Sequence, residues 1–130
     1  MTQLIQEICE LIRDNLGFTF ASGDSYLKIG ELTRGTNGVF AISSPSPLPD
    51  LYTPIEEEII DFLAVNTNTK QAYLDLQRIY DFFHQKNHYE TDNYYIYFSN
   101  SMSQIDDLDR DSEGRKLLKL SVRYIARKTT

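Results

Sequence analysis

The chain has 130 residues, 41% hydrophobic and 25% charged, a globular balance that suits one core and excludes a disordered or membrane-spanning class. Its net charge of -6 opposes the basic face that binding to free nucleic acid relies on. The single cysteine, Cys9, excludes an intramolecular disulfide, and no run of residues reads as an export signal or a membrane span.

Apolar residues at Ile5, Ile8, Ile12 and Leu16 fall at helical spacing and predict a helix over 4–16, stopped by Gly17. Cys9 lies on that face and reads as a small buried hydrophobe. Residues 18–37, with three glycines, predict short strands or irregular structure. Gly38 to Ile42 reads as a buried strand. Residues 43–54 hold all four prolines and predict a loop, because each proline lacks a backbone donor and restricts its predecessor. Residues 55–65 read as a strand.

The run Asn66-Thr67-Asn68-Thr69 supplies helix caps, and Asn68 with Gln71 has the form of a capping box. A helix is predicted from there to the region of Gln85–His88, its apolar face made of Ala72, Tyr73, Leu76, Ile79, Tyr80 and Phe83. Tyr94 to Phe98 reads as a strand, 99–114 as a long polar loop, and 118–126, in strict alternation, as a half-buried strand. The whole predicts one α+β domain over 1–130. Its sheet is mixed or antiparallel, with about four or more strands and two main helices packed on it.

Seven of the 13 Lys and Arg residues lie in the last 21 positions, so an acidic body ends in a basic strand. That asymmetry suggests head-to-tail electrostatic matching between subunits. Asp107, Asp109 and Asp111 have the spacing that opens a calcium loop. The motif then fails, with Ser112 where a Gly belongs and Leu118 where a Glu belongs, so no metal is expected. Glu56, Glu57 and Glu58 with Asp50 suggest a divalent-metal hydrolase, but no nearby Lys completes it, and strand alternation splits the carboxylates between two faces. His84 and His88 are i, i+4 with no third ligand, which proves little. No catalytic residue and no cofactor site is read. Nine Tyr and seven Phe are more rings than a core this size hides, so Tyr89, Tyr94, Tyr95 and Tyr97 stand either half-buried beside the helix or at an interface.

The order of these elements, with Asp111-Ser112-Glu113-Gly114-Arg115 as an Asp-x-x-Gly-Arg-like element before a final alternating strand, resembles the tail-terminator and minor-capsid proteins of long-tailed bacteriophages. The matching segments are 55–64, 72–83, 94–98, 111–115 and 118–126, with the first helix and Pro49-Asp50 in the same order. The resemblance implies a non-catalytic subunit that forms a six-membered ring on the end of the tail tube and meets the head-completion or connector protein. It also implies a place in the virion neck after assembly in the host cytoplasm. Its expected partners are copies of itself, the tail tube protein and the head connector, with neither free nucleic acid nor membrane among them. Contacts are expected from the two polar loops, at Asp50, Tyr52, Asp107, Asp109, Arg110, Asp111 and Arg115. Arg115 is read either as a bidentate anchor on a neighbour's carboxylate or as a solvated strand end. The competing functions are the metal hydrolase and a monomeric regulatory or inhibitor protein.

Overall fold

A computed structural model describes residues 4–21, 26–31, 35–44 and 55–129. The Pro-rich segment, with Asp50 and Tyr52, lies outside the described residues. The elements are α1 (Leu4–Leu16), β1 (Leu27–Ile29), β2 (Gly38–Ser44), β3 (Ile55–Asn66), α2 (Thr69–Phe83), β4 (Lys86–Glu90), β5 (Tyr94–Ser101), β6 (Asp106–Arg110) and β7 (Lys116–Lys128). The seven strands form one mixed sheet, six of them in the order β1-β2-β3-β7-β5-β4 and β6 paired to β7 off that path. β1 runs parallel to β2, and every other pairing is antiparallel. This is the α+β domain that the periodicities predict.

β7 is the centre of the sheet. One of its edges pairs with β3 from Ile55↔Arg127 to Asn66↔Lys116. The other is shared end to end by β5, opposite Val122–Lys128, and β6, opposite Lys116–Lys119. The even positions of β3 and β7 face the helices, so Ile60, Phe62, Ala64, Leu118, Leu120, Val122, Tyr124 and Ala126 join α1 and α2 in one buried core. Phe62 is fully buried, and such a ring contributes about 1.5–3 kcal/mol relative to leaving it in water. Phe83 of α2 meets Tyr124 edge-on at 5.3 Å, the arrangement that aromatic quadrupoles favour.

The odd positions lie on the opposite face, where Asp61 sits across from Ser121 and accepts its hydroxyl at 2.6 Å. Glu56 and Glu58 share the helix face while Glu57 and Asp61 point away, so strand alternation divides this acidic run as expected. Ser43 donates to Glu58 at 2.7 Å. Burial, opposed by that hydrogen bond and reinforced by Glu56, raises the Glu58 carboxyl above its ordinary value.

Several elements differ from the sequence prediction. α2 ends at Phe83, because Gln85 turns left-handed (φ 56°) and β4 begins at Lys86. Asn68 does cap α2, accepting from the backbone N–H groups of Lys70 (3.1 Å) and Gln71 (3.3 Å). The reciprocal half of the capping box does not form: the Gln71 side chain donates to Asp75 at 2.8 Å, and the Asn68 N–H is taken by Asn66 at 2.9 Å. Tyr73, expected on the buried face, is half exposed at 50%. Half of the predicted loop 99–114 is strand, since β5 runs to Ser101 and β6 follows after a short interruption.

Candidate functional site

β6, the turn at 111–115 and β7 make a hairpin whose tip is built by the Asp-x-x-Gly-Arg element. Asp111 accepts from the backbone N–H groups of Glu113 (3.0 Å) and Arg115 (2.9 Å), the short-range side-chain pattern that makes aspartate a turn former. Gly114 adopts φ 79° and donates its N–H to the Asp111 carbonyl at 3.0 Å, a left-handed conformation that glycine takes without steric cost. The Asp111 N–H then closes on the Arg115 carbonyl at 2.9 Å.

Arg115 locks this turn from inside. It is only 5% exposed. Its Nε donates to Asp111 at 2.9 Å, and its Nη2 lies 2.8 Å from Asp111 and 3.2 Å from Glu113. Its Nη1 donates to the Thr36 carbonyl, and Glu113 accepts from the Gly35 N–H at 3.0 Å. The hairpin tip is thereby stapled to the segment before β2. Neither sequence reading of Arg115 describes this arrangement, because the guanidinium is engaged within its own chain. Burial alone would raise the Asp111 carboxyl. The backbone N–H of Arg115, its guanidinium and the Glu113 N–H outweigh that and hold the carboxyl below the ordinary 3.8.

Asp107, Asp109 and Arg110, the other expected contact residues that are described, lie on the same hairpin. Asp107 pairs with Lys116 at 2.6 Å and accepts from the Asp109 N–H at 2.7 Å. Asp109 takes φ 71° at a bulge in β6, and Arg110 donates to the Gly114 carbonyl at 2.9 Å. Residues 106–110 and 112–114 are exposed. Asp107, Asp109 and Asp111 are thus divided among a lysine pair, a bulge and a turn rather than turned to one point. Among the described residues no three His, Cys, Asp or Glu side chains are grouped to hold a metal.

The histidines separate as well. His84 caps α2, stacks on Tyr80 at 4.6 Å and accepts from the Ser101 N–H at 3.1 Å. His88 belongs to β4, with its Nδ1 2.8 Å from the Tyr95 hydroxyl. Of the four tyrosines singled out, Tyr94 is buried, and Tyr89 is half-buried and donates to Ser99 at 2.7 Å. Tyr95 and Tyr97 are half-buried and meet edge-on at 5.0 Å. Cys9 is wholly buried, and its thiol is pushed up to about 12 by burial and then by Glu10.

The basic final strand is no free cationic tail. It occupies the middle of the sheet, where Arg115 answers Asp111, Lys116 answers Asp107, Lys119 lies 4.0 Å from Asp61, and Arg123 lies 3.7 Å from Glu57. These four cations meet carboxylates of their own chain, which leaves less of their charge for the head-to-tail matching expected of this strand.

Sequence reasoning missed a groove beside the hairpin. Where the β5–β6 line is interrupted, a recess of about 450 Å³ opens between α2 and the start of β6, lined by Tyr73, Leu74, Ile105 and Leu118 with Lys70 and Asp107 at its sides. A second recess of about 300 Å³ shares Tyr73 and Ile105 and continues to Gln77 and Tyr80. Its available signal was Tyr73-Leu74, two adjacent apolar residues too wide for one helical stripe.

No curated protein matches the chain. The family model described as "Bacteriophage tail terminator protein" matches residues 29–127, which takes in β2 to β6, α2 and nearly all of β7 together with the stapled hairpin. The chain therefore belongs to the bacteriophage tail terminator family, a structural and non-catalytic kind of protein.

Proposed function

We propose that this chain is the subunit of a six-membered ring that caps the phage tail tube and joins it to the head connector. Membership of the family supports a structural role in tail assembly. The observation that carries the finer reading is the β6–β7 hairpin, whose polar tip at 112–114 is exposed while its shape is fixed by Arg115 and Asp111. A rigid exposed hairpin binds without first being ordered, which lowers the entropic cost of association. The tip meets the tube or the connector, and the subunit resides in the virion neck after assembly in the host cytoplasm. Asp50 and Tyr52 remain proposed contacts from the Pro-rich segment.

The test is tube growth. Tail tube protein polymerised in vitro stops elongating at the ends that bind this chain, and Ser112→Arg at the exposed tip releases that block while leaving the fold intact. Tubes that keep growing with wild-type chain in excess overturn the capping role.

A further inference from the structure

We infer that the edge of β6 turned away from β7 receives an extended segment of another protein as an added strand, one in which apolar and basic residues alternate. This surface is independent of the closed ring. β4 pairs with β5 from Lys86↔Ser99 to Glu90↔Tyr95, whereas the β5–β6 line runs on to Arg110. The row that β4 forms stops there, and among the described residues no strand continues it beside β6, which pairs with β7 alone. An edge of this kind is a template for strand addition, in which backbone bonds give affinity and side-chain pockets give specificity.

The two recesses beside β6 join into one groove. They share Tyr73 and Ile105, and α2 lines them from Thr69 to Tyr80, a span of about 16 Å at 1.5 Å per residue. β6 has five residues and is about 17 Å long, so both walls suit about five residues of extended chain. The wider recess is apolar through Tyr73, Leu74, Ile105 and Leu118. Seven large apolar side chains are exposed among the described residues, at 40–53%, and four of them, Tyr73, Leu74, Met102 and Leu108, belong to α2 and the β5–β6 line. Asp107 stands opposite the core residue Leu118 and lines the groove, while Asp106 stands opposite Lys119 on the other face. An added strand alternates in the same way, so every second side chain enters the apolar groove and those between lie on the Asp106 face.

Charge fixes the residues in between. Asp107 is matched by Lys116 at 2.6 Å. Asp106 and Asp109 are exposed and have no ion pair among the described residues, since Lys119, opposite Asp106, lies 4.0 Å from Asp61 instead. A lysine or arginine set beside them makes the cross-strand pair of opposite charge that stabilises sheets. The net charge of -6 favours the approach of a basic partner, and Lys70 on the α2 wall turns its cations toward β6. A second copy does not fit. Two β6 edges would set like charges side by side, and the bulge at Asp109 further disfavours self-pairing. Among the described strands, the one that alternates basic and apolar residues is β7, whose two edges are already paired.

The probes are two six-residue peptides with blocked ends, one alternating lysine with valine and the other glutamate with valine. Each is titrated into the full chain at physiological ionic strength, where long-range attraction is screened, and backbone amide shifts are followed by NMR. The lysine peptide binds, with shifts confined to 104–110 and to α2 between Thr69 and Tyr80, and the glutamate peptide does not. Asp106→Lys with Asp109→Asn weakens the lysine peptide about tenfold, the scale of two cross-strand charge pairs lost or reversed, and admits the glutamate peptide; asparagine suits the positive φ at 109. Asp106→Asn alone, the mildest change, weakens it about threefold and serves if a thermal melt shows the double variant unfolded. Leu74→Glu, on the exposed side of α2, also weakens the lysine peptide, whereas attraction by charge alone would strengthen it. Equal binding of the two peptides, shifts centred elsewhere, no binding at millimolar peptide, or tighter binding by Leu74→Glu overturns the inference. Self-association that protects the amides of 104–110 and excludes the peptide overturns it too, because the occupant is then a second copy. None of these results bears on whether six copies close a ring.

Discussion

Arg115→Ala removes the residue that holds the hairpin tip, and its effect falls on stability first. The substitution deletes a charge-assisted pair to Asp111 (2.8 and 2.9 Å), a contact to Glu113 (3.2 Å) and a bond to the Thr36 carbonyl. Hydrogen bonds to charged groups each contribute about 1.5–3 kcal/mol, and they are not additive. Two features reduce the loss. The backbone N–H groups of Glu113 and residue 115 still serve Asp111, and Glu113 is 28% exposed, so water recovers part of its solvation. The net cost is about 2–3 kcal/mol, which for a domain between the usual small and medium sizes lowers Tm by about 8–10 °C. Arg115→Lys keeps the charge without the planar fork and falls between the two. Differential scanning calorimetry of the three proteins at neutral pH measures this. A change in Tm below about 1 °C for the alanine variant refutes the staple, since that is the range of an ordinary surface substitution.

Three further outcomes follow from the same packing. The Tyr124 hydroxyl is fully buried with no hydrogen-bond partner among the described residues, so Tyr124→Phe leaves stability unchanged or raises it by up to about 1 kcal/mol; a clear loss in a denaturant melt contradicts that geometry. At Gly38 an added Cβ would stand 2.8 Å from the Tyr26 carbonyl oxygen and 2.9 Å from its ring, so Gly38→Ala costs about 1–3 kcal/mol through overpacking where β1 meets β2, and an unchanged urea midpoint would show that β1 can shift freely. Asp111 has a depressed folded value, so its stabilisation is full above its ordinary 3.8 and is lost as pH falls from there through the folded value. Asp111→Asn shows a shallower acid limb than wild type in that window, and parallel limbs count against the assignment.

The parts of the fold legible in the sequence are those in which one face is buried and the other wet. Ile5, Ile8 and Ile12 are buried at the spacing that predicts α1, and Leu118, Leu120, Val122, Tyr124 and Ala126 are buried at the alternation that predicts β7. Where both faces of a strand are wet, the period disappears. All five residues of β6 are exposed, three of them aspartates that disfavour strand on their own, and only pairing with β7 makes it one. β4 was hidden because the left-handed turns at Gln85 and His88 fall on residues other than glycine. The hairpin tip was legible as spacing, since Asp111, Gly114 and Arg115 each act within five residues. Its anchor was not, because Thr36 lies 79 positions from Arg115 and carries no local mark of the contact. The groove depends likewise on α2 crossing an interruption in the β5–β6 line, a relation between segments distant in sequence.

The most direct test of the account is an electron-microscopic reconstruction of this chain bound to the end of phage tail tubes. The account predicts one closed ring of six copies at the tube end, with the 112–114 tips turned toward the tube or the connector side. Single copies scattered along the tube wall, or tube ends that carry none, would contradict it.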